Sequence, residues 1–199
     1  MERQLGIAGL VVGLVLMAGA AEAADQQIRA FFGATFAGET TFVDLENAAG
    51  QAHLTIGGQA AWLGEIFGAE GEVADTPGFF EGGKKNLVIK SRVTTFTGNF
   101  VIAVPRRLTE YSLRLYFVGG GGIMRVREED ALAAYDFTKY VPAIDFGVGA
   151  LGFLTNRVGL SWELRRFQQV GDTSQPPGIS FGTEHLSYWR ANMAVVIRY

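Results

Sequence analysis

Read backwards from the C-terminus, every second residue is apolar or aromatic: Tyr199, Ile197, Val195, Met193, Ala191 and Trp189. The interleaved set, Arg198, Val196, Ala194, Asn192, Arg190 and Tyr188, carries the charges. A period of two places each set on its own face of a strand. Aromatic residues bracket the apolar face at both ends, as expected where amphipathic rings settle at two membrane-water interfaces.

The same alternation recurs upstream. Val158, Leu160, Trp162 and Leu164 alternate with Gly159, Ser161, Glu163 and Arg165; Ile144, Phe146, Val148 and Ala150 with Asp145, Gly147 and Gly149. Leu113, Leu115 and Phe117 face away from Ser112, Arg114 and Tyr116, and Phe96, Phe100, Ile102 and Val104 from Thr95, Thr97 and Asn99. Further towards the N-terminus Phe67, Ala69 and Val73 oppose Glu70 and Glu72, Leu54, Ile56, Ala60 and Trp62 oppose His53, Thr55 and Gln59, and Ile28, Phe32 and Phe36 oppose Arg29 and Thr35. Eight strands of about 9 to 11 residues are predicted, the length a tilted strand needs to cross hydrocarbon. Long polar or Gly-rich segments fall near 38–51, 76–91, 124–141 and 168–184, and short ones around 63–65, 105–109 and 153–157. That rhythm predicts an all-β fold, an eight-stranded antiparallel up-and-down transmembrane β-barrel with both chain ends on its short-turn side. Glu128 to Tyr135 is expected to form a turn or two of helix within the third long loop.

The N-terminus is organised differently. Residues 5–21 are uncharged and follow a short head in which Arg3 and the amino terminus outweigh Glu2, and Ala21-Glu22-Ala23 supplies small residues at alternate positions. This is the layout of a secretory signal peptide over residues 1–23, leaving 24–199 as the barrel domain. A permanent membrane helix is the competing reading, but the stretch is at the short edge of a span and contains four glycines.

Composition narrows the partners. The 27 glycines among 199 residues are about twice the usual share of ~7%. A net charge of -3 offers no cationic field for nucleic acid. With Cys 0 and His 2 there is no disulfide framework or thiolate site, and neither a metal nor a cofactor is expected.

Alternation alone fits a soluble secreted barrel turned the other way, with its apolar set inside. The terminal strand argues against that, because its apolar face is continuous and its other face pairs arginine and asparagine with small residues. On the candidate inner face, Arg29, Arg114, Arg165 and Arg190 balance Glu70, Glu72, Asp145 and Glu163. Each burial penalty then meets a partner, whereas an unpaired charge costs several kcal/mol. Eight strands enclose an interior only just filled by side chains, so this network is expected to plug the lumen, with at most a narrow pore.

On these residues the chain resembles the small bacterial outer-membrane β-barrel proteins, the group that includes the barrel domain of outer-membrane protein A and its short relatives. The resemblance covers 24–199 as pattern, and its most specific element is the last strand with Val195, Ile197 and Tyr199. In such proteins that ending is the signal read by the barrel-insertion machinery; phenylalanine is the commoner final residue, and tyrosine departs from it. The resemblance implies a monomer in the outer membrane of a Gram-negative type of cell, reached through the periplasm. Outer-membrane lipids and lipopolysaccharide are the implied partners, and the implied role lies in envelope integrity or surface interaction without enzymatic activity.

Four groups carry candidate chemistry. His185 and Ser187, two apart on one strand face, could act as base and nucleophile, and they resemble the pair of an eight-stranded lipid A deacylase. The pair lies on the last strand, however, and no carboxylate follows it; Glu184 and Glu163 are the substitutes. His53 is one histidine beside Thr55 and Gln59, which suits lumen lining. Gly119 to Gly122 lack the lysine of a phosphate cradle and read as strand-to-loop flexibility. Lys84-Lys85 forms a short basic tip on the second long loop.

Overall fold

The computed structural model describes residues 25–40, 51–79, 88–105, 108, 113–130, 136–171 and 186–199. They form eight antiparallel strands: β1 (Asp25–Thr40), β2 (His53–Leu63), β3 (Phe67–Pro77), β4 (Val88–Ala103), β5 (Leu113–Asp130), β6 (Asp136–Phe153), β7 (Val158–Gln169) and β8 (Leu186–Arg198). Each strand pairs with its neighbour in sequence, and β1 pairs with β8 from Gln27↔Arg198 to Thr40↔Leu186. The sheet is thereby closed and has no edge along the wall. Closure includes a register shift between Phe36 and Glu39, where Ala37 takes a left-handed φ of 48°. Both ends of the described chain, Asp25 and Tyr199, lie at the end of the barrel that carries the tight turns 64–66 and 154–157. The expected leader lies outside the described residues.

Alternation sets the wall's polarity. Outward side chains include Phe32, Ile56, Trp62, Phe67, Phe100, Phe117, Phe146, Trp162 and Val195, each about half exposed or more. Between them, Arg29, Glu70, Asp145, Glu163, Arg165 and Arg190 are buried inside. A soluble barrel would reverse the two sets, because apolar area belongs in the core when water is outside.

Six strands exceed the predicted 9 to 11 residues, β1, β4, β5 and β6 at 16 to 18 residues the most. β5 continues to Asp130 and β6 begins at Asp136, so the region read as a third long loop is chiefly a tall hairpin, paired from Leu113↔Gly152 to Glu129↔Asp136. Glu128, Glu129 and Asp130 lie in a strand and not in the expected helix, while 131–135 lie outside the described residues. The reason is visible in the pattern: Met124 and Val126 still alternate with Arg125 and Arg127 and are fully buried against Val93, Val141 and Phe167. The alternation was masked because the outward partners become charged where the wall leaves the apolar band. Likewise β3 runs to Pro77 and β4 starts at Val88, which shortens the second long segment, and the connection from Ala103 to Leu113 is longer than the predicted 105–109.

Gly119 to Gly122 sit inside β5, not at its end. A Cβ on Gly120 would come within 2.2 Å of the Gly98 carbonyl oxygen, and one on Gly122 within 1.8 Å of that of Phe96. Glycine here permits close approach of neighbouring backbones in a tightly curved wall.

Candidate functional site

The lumen is stacked in three layers. At the long-loop end, Phe79, Val93, Met124, Val126, Val141, Ala143, Phe167, Leu186 and Tyr188 form one apolar cluster. At the short-turn end, Ala61, Leu63, Val101, Ala103, Tyr116, Val118, Leu151 and Val196 form another. Between them lies a charge layer.

Arg165 of β7 is its hub. Its Nη2 is 2.6 Å from Glu70 Oε1 and 2.8 Å from Glu163 Oε2, and its Nη1 is 3.4 Å from Glu72 Oε2 and 3.3 Å from Asp145 Oδ2. Arg29 of β1 joins Glu70 and Glu163, each at 3.3 Å, and donates to Gln27 Oε1 at 3.0 Å. Arg190 of β8 reaches both oxygens of Glu72 at 2.6 Å, and its guanidinium lies over the rings of Phe31 and Phe167. Such charge-assisted, multiply bonded pairs are the arrangement that offsets desolvation in a dry interior.

Seven of the eight charges singled out by pattern therefore meet in one place, and Arg114 does not. It has the right parity on β5, but its position along the barrel is lower, and its guanidinium donates to the carbonyls of Gly64, Glu65 and Val104 at 2.6, 2.7 and 3.3 Å. It thus fastens the β2–β3 turn to the start of β5. The layer keeps three guanidiniums for four carboxylates, and neutral donors supply the difference. Tyr116 donates to Glu163 at 2.5 Å, and Gln59 donates to both Glu72 and Glu163 at 2.8 Å. Asn192 reaches Glu163 at 3.4 Å. With its amide turned to suit its neighbours, Asn99 donates to Asp145 and accepts from Arg165, each at 2.9 Å. Every strand contributes at least one group. Gln59, Asn99, Tyr116 and Asn192 are functional members of the layer that sequence reasoning passed over; their inward parity was the available signal.

The remaining candidates separate. His53 stacks on Phe79, with ring centroids 5.9 Å apart, at the mouth. Phe79 in turn meets Tyr188 edge-on, and Tyr188 stacks on Phe167, so an aromatic column closes that end. Ser187 has the outward parity of β8 but is itself buried, and its hydroxyl accepts from Arg166 at 3.0 Å. Glu163 points into the lumen, on the other side of the wall, so it cannot orient a base beside Ser187. His185, Glu184 and Lys84-Lys85 lie outside the described residues. Among the described residues no histidine, aspartate and glutamate group is arranged to hold a metal. Val195, Ile197 and Tyr199 line up on the outer face of β8, all about half exposed or more.

No known family matches the sequence, and no curated protein does. Solved structures do. The Neisserial surface protein A superposes with a TM-score of 0.62 at 7% identity, covering 88% of this chain and 97% of that one. The N-terminal β-barrel domain of Pseudomonas aeruginosa OprF gives 0.51 at 13% identity, covering 89% and 98%. Ail, the attachment invasion locus protein of Yersinia pestis, solved with the heparin analogue sucrose octasulfate, gives 0.51 at 10% identity, covering 88% and 99%. At such identities the likeness is one of architecture, and on that evidence the chain has the closed eight-stranded fold of the small outer-membrane barrels.

Proposed function

We propose that the protein is an integral outer-membrane barrel with a non-enzymatic role in envelope integrity or surface interaction, exported through the periplasm and inserted as a monomer. The observation that carries this reading is the inverted partition of the wall: Trp62, Phe100, Phe117 and Trp162 outside, Arg29, Arg165 and Arg190 fully enclosed. A side chain such as Phe100, 67% exposed, is at ease only if acyl chains cover it. The two apolar layers flanking the charges support a lumen that conducts neither water nor ions. Outer-membrane lipids are the immediate partners, and the outward residues Val195, Ile197 and Tyr199 suit recognition by the insertion machinery. The neighbours in structure support the same compartment.

The test is fractionation followed by gel migration. Detergent extracts of the outer envelope are expected to contain the protein, running faster unheated than boiled, since a closed barrel resists dodecyl sulfate at room temperature. Recovery in the aqueous periplasmic fraction with one migration would defeat the proposal.

A further inference from the structure

One neighbouring pair of strands differs from the other seven. Each of those seven is joined at one end by the chain that links its strands in sequence, whereas no such connection joins β1 to β8. Their pairing brings together the most distant parts of the barrel chain and costs the most loop entropy. The ladder between them is unbroken from Gln27↔Arg198 to Phe36↔Trp189. With no turn at either end it can part from both, since strand ends open first.

The short-turn end is fastened through Arg198. Its backbone N–H donates to the Arg157 carbonyl at 2.8 Å, and its Nε and Nη2 donate to the Asn156 carbonyl at 3.0 and 2.6 Å. The same guanidinium lies over the Phe153 ring, 4.3 Å from its centroid. These contacts hold β8 to the β6–β7 turn. Towards β1, Nη1 is 3.6 Å from Asp25 Oδ2, and the next residue, Tyr199, donates its N–H to the Gln26 carbonyl at 3.2 Å. Arg198 thus bridges the start of β1, the turn 154–157 and the end of β8.

Its place along the barrel suits a fastening that engages and releases. Arg198 has the inward parity of Ala194 and Val196 but stands at the lower mouth, where its side chain is 24% exposed. Water reaches it there, so letting go moves no charge through hydrocarbon. A planar fork serves one carbonyl twice while its face covers a ring, a combination an ammonium does not match. The other seam arginines work differently. Arg29 and Arg190 bind carboxylates of β3 and β7, which ties each strand to the charge layer rather than to the other.

We propose that Arg198 is a latch on the closed barrel: it engages after β1 and β8 have zipped together, and it sets how slowly the seam reopens rather than how fast it forms. A contact made after the transition state changes the unfolding rate and leaves the folding rate alone. The inference rests on the closed topology and gives one residue of the seam a kinetic role.

The experiment uses the full barrel refolded into lipid vesicles and follows folding and unfolding rates in urea. Arg198→Met keeps an apolar stem beside Phe153 and removes the donors. It is expected to unfold about tenfold faster and to fold within about twofold of wild type. A second comparison separates a latch from a brace. The chain has no cysteine, so Ala30→Cys with Val195→Cys, directly opposite across the seam, can lock it with one disulfide. In the oxidised barrel Arg198→Met should unfold no faster than its locked parent, and reduction should restore the difference. If Arg198→Met folds poorly, Arg198→Gln and Asp25→Asn, each removing part of the contact, give the same comparison with smaller effects. Faster unfolding that persists in the locked barrel would make Arg198 a support of the β6–β7 turn alone and overturn the latch. An unchanged unfolding rate, or a loss confined to the folding rate, overturns it equally.

Discussion

Arg165 touches four carboxylates, more than either of the other two guanidiniums in the layer. Its removal would leave Glu70, Glu72, Asp145 and Glu163 to share two guanidiniums in a place water does not reach. Stripping one partner from a buried ionic group costs about 3 to 5 kcal/mol. Arg165→Met is therefore expected to lower stability by about that much, read as a shift of the urea midpoint in lipid vesicles, whereas Arg114→Met should cost only about 1 to 3 kcal/mol by releasing a turn. Equal losses would show that the layer is not the cooperative unit the geometry describes. Glycines divide just as sharply. A Cβ on Gly57 would fall 2.3 Å from the Phe31 ring and one on Gly149 2.3 Å from that of Tyr116, while Gly71 and Gly98 face open space. Alanine at 57 or 149 is expected to reduce the folded fraction on refolding, and alanine at 98 to leave it unchanged.

At the scale of elements, what could be read from the chain depended on which physical variable was asked for. Parity was legible: the inward or outward side of Trp162, Arg190, Glu163 and Val195 follows from counting by two. Height was not. Arg114 and Arg29 share a parity and a charge, and only strand tilt and register, set by the whole closed sheet, decide that one meets Glu70 while the other meets turn carbonyls. The apolar layers left a fainter signal, since Val118, Val126, Val141, Leu151 and Val196 interrupt the polar set on the inner face. The upper half of β5 reads as a loop in the sequence because its outward residues are charged, although Met124 and Val126 inside continue the strand. Met124→Asp tests this assignment: a charge forced into the upper cluster should lower thermal stability by several kcal/mol, while a solvent-exposed loop would tolerate it. The last strand gives a second test. Tyr199 is 69% exposed and contributes little packing, so Tyr199→Ala should leave spontaneous refolding into vesicles intact. Slower insertion in cells would then be specific to the assembly machinery; equal insertion would remove Val195, Ile197 and Tyr199 from that role.

For the whole molecule the decisive property is that its lumen is closed three times over. Water crossing from one rim to the other must pass the aromatic column of Phe79, Tyr188 and Phe167, then the guanidinium-carboxylate mesh, then the lower cluster around Leu63, Val101 and Leu151. The barriers are of two kinds. An apolar constriction excludes ions by dewetting, whereas the mesh excludes them because its charges are already bonded to one another. The layers touch, since Arg190 lies over Phe167 and Tyr116 of the lower cluster donates to Glu163, but each closes the lumen at its own height, so removing one should not open the path. Phe79→Ala is expected to loosen the mouth and lower stability by an amount typical of a lost core aromatic, about 3 kcal/mol or more, yet planar bilayers containing it should remain as silent as those with wild type. Current steps in both proteins would mean that the layers move aside in the membrane. Steps in Phe79→Ala alone would make the aromatic column the only working seal and reduce the charge layer to a scaffold that holds eight strands in register.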